Sequence, residues 1–163
     1  MTIEYLDIVD ENDNVIDVVE RSIAKQQKLK TRYIHIFIFN DAGEILIQQR
    51  SHTRGLGPNL IDPSTGGCVQ SGESYEEAAI REMREEVSIK TDITHILDIA
   101  GWYGHCRLFT ANYNGDFQVD NDESKHACFV SIEHLEFVME HFPFTVMNGF
   151  LHSYKHYKEH INK

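Results

Sequence analysis

The chain has 163 residues, 41% of them hydrophobic, and carries 26 acidic against 15 basic side chains for a formal net charge of -11. That length suits a single domain over residues 1–163 with a core of its own. No apolar run of about eighteen residues is present, and the start Met1-Thr2-Ile3-Glu4-Tyr5 lacks the basic and apolar regions of a secretion signal. The acidic balance repels nucleic-acid polymers and anionic membranes, so the expectation is a soluble cytoplasmic protein that holds small anions only through metal ions or local arginines.

In chain order, Leu6-Asp7-Ile8-Val9 and Val15-Ile16-Asp17-Val18-Val19 flank the turn-rich Asp10-Glu11-Asn12-Asp13-Asn14, predicting an N-terminal hairpin over about 5–20. Asp10 to Asn14 begins like a calcium loop, but Val15 stands at the sixth position and Arg21 at the twelfth, so a hairpin turn is the better reading. Tyr33–Phe39 and Glu44–Gln49 predict a second strand pair around Asn40-Asp41-Ala42-Gly43. A long irregular segment, Ser51 to Ser71, then precedes a helix from Gly72 to about Val87. Further strands are expected near Ala100 to Ala111 and His126 to Val130, with C-terminal helices over about 132–161. This order predicts an α/β fold of the α+β type, a sandwich with a mixed sheet and not a βαβ repeat.

The helix carries the chemistry. At about 100° per residue, Glu82, Glu85 and Glu86 share one face within an arc of roughly 100°. Ala78 and Ala79 lie on the same side one turn earlier, which leaves room above the carboxylates, while Ile80, Met83 and Val87 are expected to face a core. Two unit charges about 6 Å apart repel by roughly 3 kcal/mol at an effective dielectric of about 20, so the group needs a counter-charge. Hard divalent ions such as Mg²⁺ or Mn²⁺ answer that need with oxygen ligands. A solvated helix laced by Glu77-Arg81-Glu85 ion pairs is the plain alternative. The preceding Ser64-Thr65-Gly66-Gly67, where glycines let backbone approach a ligand, shifts the balance toward a site.

The string Gly67 to Ile89 resembles the Nudix box, G-x5-E-x7-R-E-U-x-E-E-x-G-U with U a bulky aliphatic. Gly67, Glu73, Arg81, Glu82, Met83, Glu85, Glu86 and Ile89 fit, and Ser88 alone replaces a glycine. Six specified residues coincide by chance with odds on the order of one in ten million. Ser88 would end the helix in a left-handed cap at a cost of about 1 kcal/mol, leaving every ligand position intact. The resemblance implies a Nudix-like α/β/α sandwich that hydrolyses a phosphoanhydride bond in a small organic diphosphate. It implies Glu82, Glu85 and Glu86 as metal ligands, with Glu82 or Glu86 orienting or deprotonating the attacking water, and the Gly66 carbonyl as a further ligand. Arg81 and Glu73 would be the pair that fixes the loop on the helix.

The likeness covers roughly Asp7 to Leu135 and leans toward the branch of isopentenyl diphosphate isomerase, through Gln48-Gln49-Arg50, Arg54, Pro58 and Asp122-Glu123. Glu123 would complete the metal site from a loop, and Arg50 or Arg54 would pair with a substrate phosphate through its fork of donors. The isomerase itself needs a cysteine where Gly66 stands, a glutamate at Gly104, and histidines around residues 25 to 31 and at Cys68, none of which is present. A Nudix domain that binds ligand without turnover is the rival from another class.

Three separate cysteines, Cys68, Cys106 and Cys128, form no metal or disulfide pattern and read as small buried hydrophobes. His152, His156 and His160 repeat along one side of the last helix, opposite Met147, Phe150, Tyr154, Tyr157 and Ile161, and read as a solvent face. That aromatic stripe packs on this domain or on a partner, which leaves a homodimer open. Trp102, Tyr103, His105 and Phe109 are pocket candidates, with core packing the equal alternative.

Overall fold

The strand Thr31–Phe39 serves two cores through strict alternation. Ile34, Ile36 and Ile38 point to one face and Tyr33, Phe37 and Phe39 to the other, and the sheet around this strand is covered by helices on both sides. The computed structural model describes residues 3–101 and 103–163. Strands are β1 (Tyr5–Val9), β2 (Val15–Glu20), β3 (Thr31–Phe39), β4 (Ile45–Arg50), β5 (Ile61–Asp62), β6 (Thr65–Cys68), β7 (Ile93–Gly101), β8 (Gly104–Asn112) and β9 (Ser124–Val130). Helices are α1 (Arg21–Gln27), α2 (Tyr75–Val87), α3 (Ile132–His141) and α4 (Asn148–Ile161), with a short 3-10 turn at Pro143–Thr145.

The result is an α/β/α sandwich with a mixed sheet. β3 runs parallel to β8 from Thr31↔Gly104 to Phe39↔Asn112 and antiparallel to β6 on its other side. α2 packs Tyr75, Ala78, Ala79, Met83 and Val87 on the isoleucine face. α4 packs Phe150, Tyr154 and Tyr157 on the phenylalanine face, with Phe37 meeting Phe150 edge to face at 5.6 Å between ring centres. The aromatic stripe of α4 is therefore spent on this chain's own sheet, although Ile161 stays exposed. Among the described residues no helix is long and apolar enough to cross a membrane.

Several expectations need correction. β3 and β4 do not form an extended hairpin: they stay paired only at Phe39↔Ile45, then β4 leaves to lie between β9 and β5. The segment 51–71 contains β5 and β6, and β6 escapes notice because Thr-Gly-Gly-Cys has no apolar alternation to read. The strand expected near Ala100 to Ala111 is in fact the end of β7, a turn, and most of β8. α1 is a further addition, a seven-residue helix with no side-chain N-cap and Lys28 left-handed at its end. On α2, Ile80 is 44% exposed, whereas Ala78 and Ala79 are fully buried. The helix turns its small alanines to the sheet because the strands approach closely there, and Ile80 falls at the margin of that contact.

The N-terminal turn is an Asx-type closure in which the Asp10 carboxylate accepts the amides of Asn12 and Asn14. His105 bonds the Asp10 carbonyl and Phe109 is core, so neither lines a pocket, while Tyr103 is 69% exposed and Trp102 lies outside the described residues. Cys106 is buried and Cys68 and Cys128 are partly so, all as free thiols. His152 and His160 are exposed and His156 is partly exposed.

Candidate metal and diphosphate site

The site begins with how α2 starts and stops. Ser74 accepts the amide of Glu77 while the Glu77 carboxylate accepts the Ser74 amide, a reciprocal cap that fixes the first turn. At the other end Ser88 adopts φ 55° and ψ 26°, the left-handed cap the sequence predicts. Between these ends the helix presents Glu82 and Glu86 to β6. The approach is close because Gly67 lacks a side chain, and a Cβ there would lie 2.0 Å from Glu82 Oε1.

Arg81 holds this edge together with all five of its donors. Its fork grips both oxygens of Glu73 at 2.8 and 2.9 Å, its Nη1 reaches Glu82 at 2.7 Å and Glu85 at 3.3 Å, and Nη2 donates to the Cys68 carbonyl at 3.1 Å. Glu73 also accepts the Gln70 amide at 3.0 Å. Partial burial pushes the Glu73 carboxyl up, but its bonds to Arg81 and Gln70 more than reverse this and hold it below the usual range. The loop is thereby tied to the helix by residues eight apart.

Glu86 is held differently. Three donors converge on its Oε2: the Thr65 hydroxyl at 2.6 Å, the Gln48 amide at 3.0 Å and the Gly66 N–H at 3.2 Å. Burial, joined by the charge of Glu82, pushes its carboxyl up to about 8 against these bonds. Glu82 is likewise raised by burial, opposed by Arg81. Two carboxylates that resist ionisation side by side, with Glu85 at 59% side-chain exposure on the rim, make an oxygen-rich locus in which Arg81 pairs with Glu82 and Glu85 while Glu86 is held by neutral donors. A hard divalent cation fits that donor set.

The remaining candidates sit nearby but are occupied. Arg50 bonds Asp62 and the Leu56 carbonyl, bracing the segment between β4 and β5. Arg54 pairs with Glu123, whose carbonyl also accepts the Ser51 amide at 2.9 Å. The stretch leading to Glu123 is anchored to the last turn of α2, since the Asp120 and Gln118 amides cap the Glu86 and Val87 carbonyls. Among the described residues no three carboxylate, imidazole or thiol groups converge tightly enough to coordinate an ion in this side-chain arrangement. Glu82 and Glu85 turn to Arg81 and Glu123 to Arg54, so arginines take the counter-charge role.

Three contributors were not foreseen. Gln48 and Thr65 are buried polar residues that the sequence marks only as part of the branch likeness and of the Ser64–Gly67 segment, with no role toward Glu86. Arg21, on α1 and paired with Glu4 at 2.6 Å, stands in electrostatic reach of Glu82 and Cys68. No local signal marks Arg21, because it arrives through tertiary folding of the N-terminal unit.

A carboxylate-bearing helix seated on a glycine strand inside an α/β/α sandwich defines a class of hydrolases that handle phosphorylated compounds with divalent cations. The chain belongs to one such family, the Nudix hydrolases: the NUDIX domain matches residues 29–147. An uncharacterized Nudix hydrolase of Yersinia pestis is 34% identical over 140 residues, covering 82% of this chain and 76% of that protein. A Nudix hydrolase of Deinococcus radiodurans is 42% identical over 89 residues, 55% of this chain and 52% of its own length, so the chain spans about half of that relative. A crystal structure of a Deinococcus radiodurans protein superposes with a TM-score of 0.77 at 28% identity, covering 84% of this chain and 89% of that one.

Proposed function

We propose that this chain hydrolyses a phosphoanhydride bond in a small organic diphosphate, such as a nucleoside diphosphate linked to another moiety, and that it does so as a single cytoplasmic domain. The observation that carries this reading is the pairing of two partly buried carboxylates, Glu82 and Glu86, both pushed toward the neutral form by desolvation, against the glycines of β6. Mg²⁺ or Mn²⁺ would be held by Glu82, Glu85 and Glu86, with the Gly66 carbonyl and Glu123 as further ligands. When bound, such an ion supplies the positive charge that neutralises diphosphate oxygens and readies water for attack.

The chain's own residues do the rest. Glu82 or Glu86 takes the proton of the attacking water as its oxygen bonds to phosphorus, and the bridging P–O bond breaks to release a phosphate or monophosphate. Arg54, freed from Glu123, pairs with a phosphate, whereas Arg50 shapes the loop that presents Arg54. Arg81 and Glu73 keep the helix and strand in register. The isomerase reading loses support at two positions: a Cβ at Gly66 would lie 2.7 Å from the His35 ring, and one at Gly104 would lie 1.8 Å from the Thr31 carbonyl oxygen. Neither position has room for the required cysteine or glutamate.

The test is a panel of nucleotide sugars, dinucleotides, nucleoside triphosphates and prenyl diphosphates with Mg²⁺ or Mn²⁺, scored for phosphate release and isomerised product. Hydrolysis that disappears in Glu86→Gln supports the reading. Tight ligand binding without any product would replace it with a non-catalytic binding role.

A further inference from the structure

We propose that Gln48 and Thr65 are positioning residues for Glu86, filling its Oε2 so that Oε1 is the oxygen offered to a cation and to water. The inference rests on the proposed metal-dependent reading and adds an orientation to it. A carboxylate oxygen has two lone-pair directions, and Oε2 already receives three donors, from Thr65, Gln48 and Gly66. Among the described residues no hydrogen bond reaches Oε1. The carboxylate is thus split into one saturated oxygen and one open oxygen by neutral groups, with no arginine engaged.

The Gln48 amide cannot reverse its orientation without penalty. Its Nε2 faces two acceptors, the Ser64 carbonyl at 2.7 Å and Glu86 at 3.0 Å, while its Oε1 accepts the Ser124 hydroxyl. A flipped amide would set oxygen against both acceptors, so the surrounding chemistry fixes the assignment. Gln48, Ser64, Thr65 and Ser124 are all less than 5% exposed, and water cannot readily substitute for these bonds. Ser124, the first residue of β9, directly follows Glu123 in the preceding turn, so one buried amide links the end of the turn that carries Glu123 to the helix that carries Glu86. Gln48 therefore sets where two candidate ligands from distant segments stand relative to each other.

The experiment uses full-length protein and Mn²⁺ alone as the probe, with free ion counted by electron paramagnetic resonance. Thr65→Val removes the hydroxyl with little change of shape, and Thr65→Ser keeps the hydroxyl while losing a methyl. Losing a hydrogen-bond partner of a ligating group weakens metal affinity or turnover by about 10- to 100-fold. Thr65→Val and Gln48→Met are expected to weaken Mn²⁺ binding by that amount, and to lower kcat with little change in KM on whichever panel compound the wild type turns over. Thr65→Ser is expected to stay within about threefold of wild type even if its melting temperature falls. Thr65→Ser failing as badly as Thr65→Val, or both Thr65→Val and Gln48→Met binding Mn²⁺ like wild type, would overturn the assignment. If Gln48→Met does not fold, the Thr65 pair decides alone. A wild type that binds Mn²⁺ but hydrolyses nothing would defeat the proposed function while leaving this orientation to stand or fall on the affinities.

Discussion

Gly67→Ala puts the greatest strain on the proposed site for the smallest chemical change. The added methyl would begin 2.0 Å from Glu82 Oε1, 2.2 Å from its Cδ and 2.8 Å from Oε2. Glu82 must then retreat by about 1.5 Å to reach an ordinary non-bonded separation. That retreat breaks the 2.7 Å contact to Arg81 and removes the carboxylate from the strand. Overpacking of this kind costs about 1 to 3 kcal/mol, or a melting-temperature loss of roughly 2 to 12 °C for a chain of this size. Mn²⁺ affinity should fall at least tenfold, as for other displaced ligands. Gly72→Ala is the matched control, because Gly72 has φ +83° but nothing within 4 Å of its would-be Cβ. The control should lose about 1 kcal/mol to backbone strain and keep its Mn²⁺ affinity. Thermal melts and Mn²⁺ titrations of the two variants settle the matter: a Gly67→Ala protein that binds Mn²⁺ as tightly as Gly72→Ala would refute the close-approach argument.

Ser88→Gly should stabilise the protein by about 1 kcal/mol and raise the melting temperature by about 2 to 4 °C, since it relieves a left-handed residue without touching the carboxylates. Arg81→Lys replaces a five-donor fork by a single ammonium, so Mn²⁺ affinity is expected to drop by about tenfold and the melting point to fall with it, measured by the same titrations. His35 is buried against Ser153, and burial, with His152 adding to it, lowers its pKa from 6.5 to about 4. The fold therefore binds this proton less well than the unfolded chain does: the stabilisation is complete above pH 6.5 and is lost as pH falls toward 4. Urea unfolding across that window should show up to about 3 kcal/mol of acid loss in wild type and a shallower slope in His35→Asn. Equal slopes would contradict the assignment to His35.

How much was legible in the sequence depends on what each segment uses to hold itself. The hairpin at Tyr5–Glu20, the strands Thr31–Phe39 and Ile45–Arg50 and the helix Tyr75–Val87 advertise themselves through periodicity and capping, and they form close to where the pattern puts them. The two-residue β5 and the glycine-bearing β6 are held by partners and not by their own side chains, so nothing local announces them. The same division runs through the candidate site. Glu73, Arg81, Glu82 and Glu86 lie within one motif, and their mutual contacts follow from its spacing. Gln48, Ser124 and Arg21 come from three other segments, and only folding brings them to the helix. The two arginines singled out for phosphate are already engaged, Arg50 with Asp62 and Arg54 with Glu123, a competition that residue type and position cannot reveal.

The parallel pairing of Thr31–Phe39 with Gly104–Asn112 means the central strand waits for a neighbour made about seventy residues later. A ribosome delivering this chain would expose the acidic helix well before the strand bearing Ser124 emerges to orient Gln48. Fragments ending near Gly101 would leave the middle strand with an open hydrogen-bonding edge, a template for self-association. The centre of the sheet is thus completed only when most of the polypeptide has been synthesised.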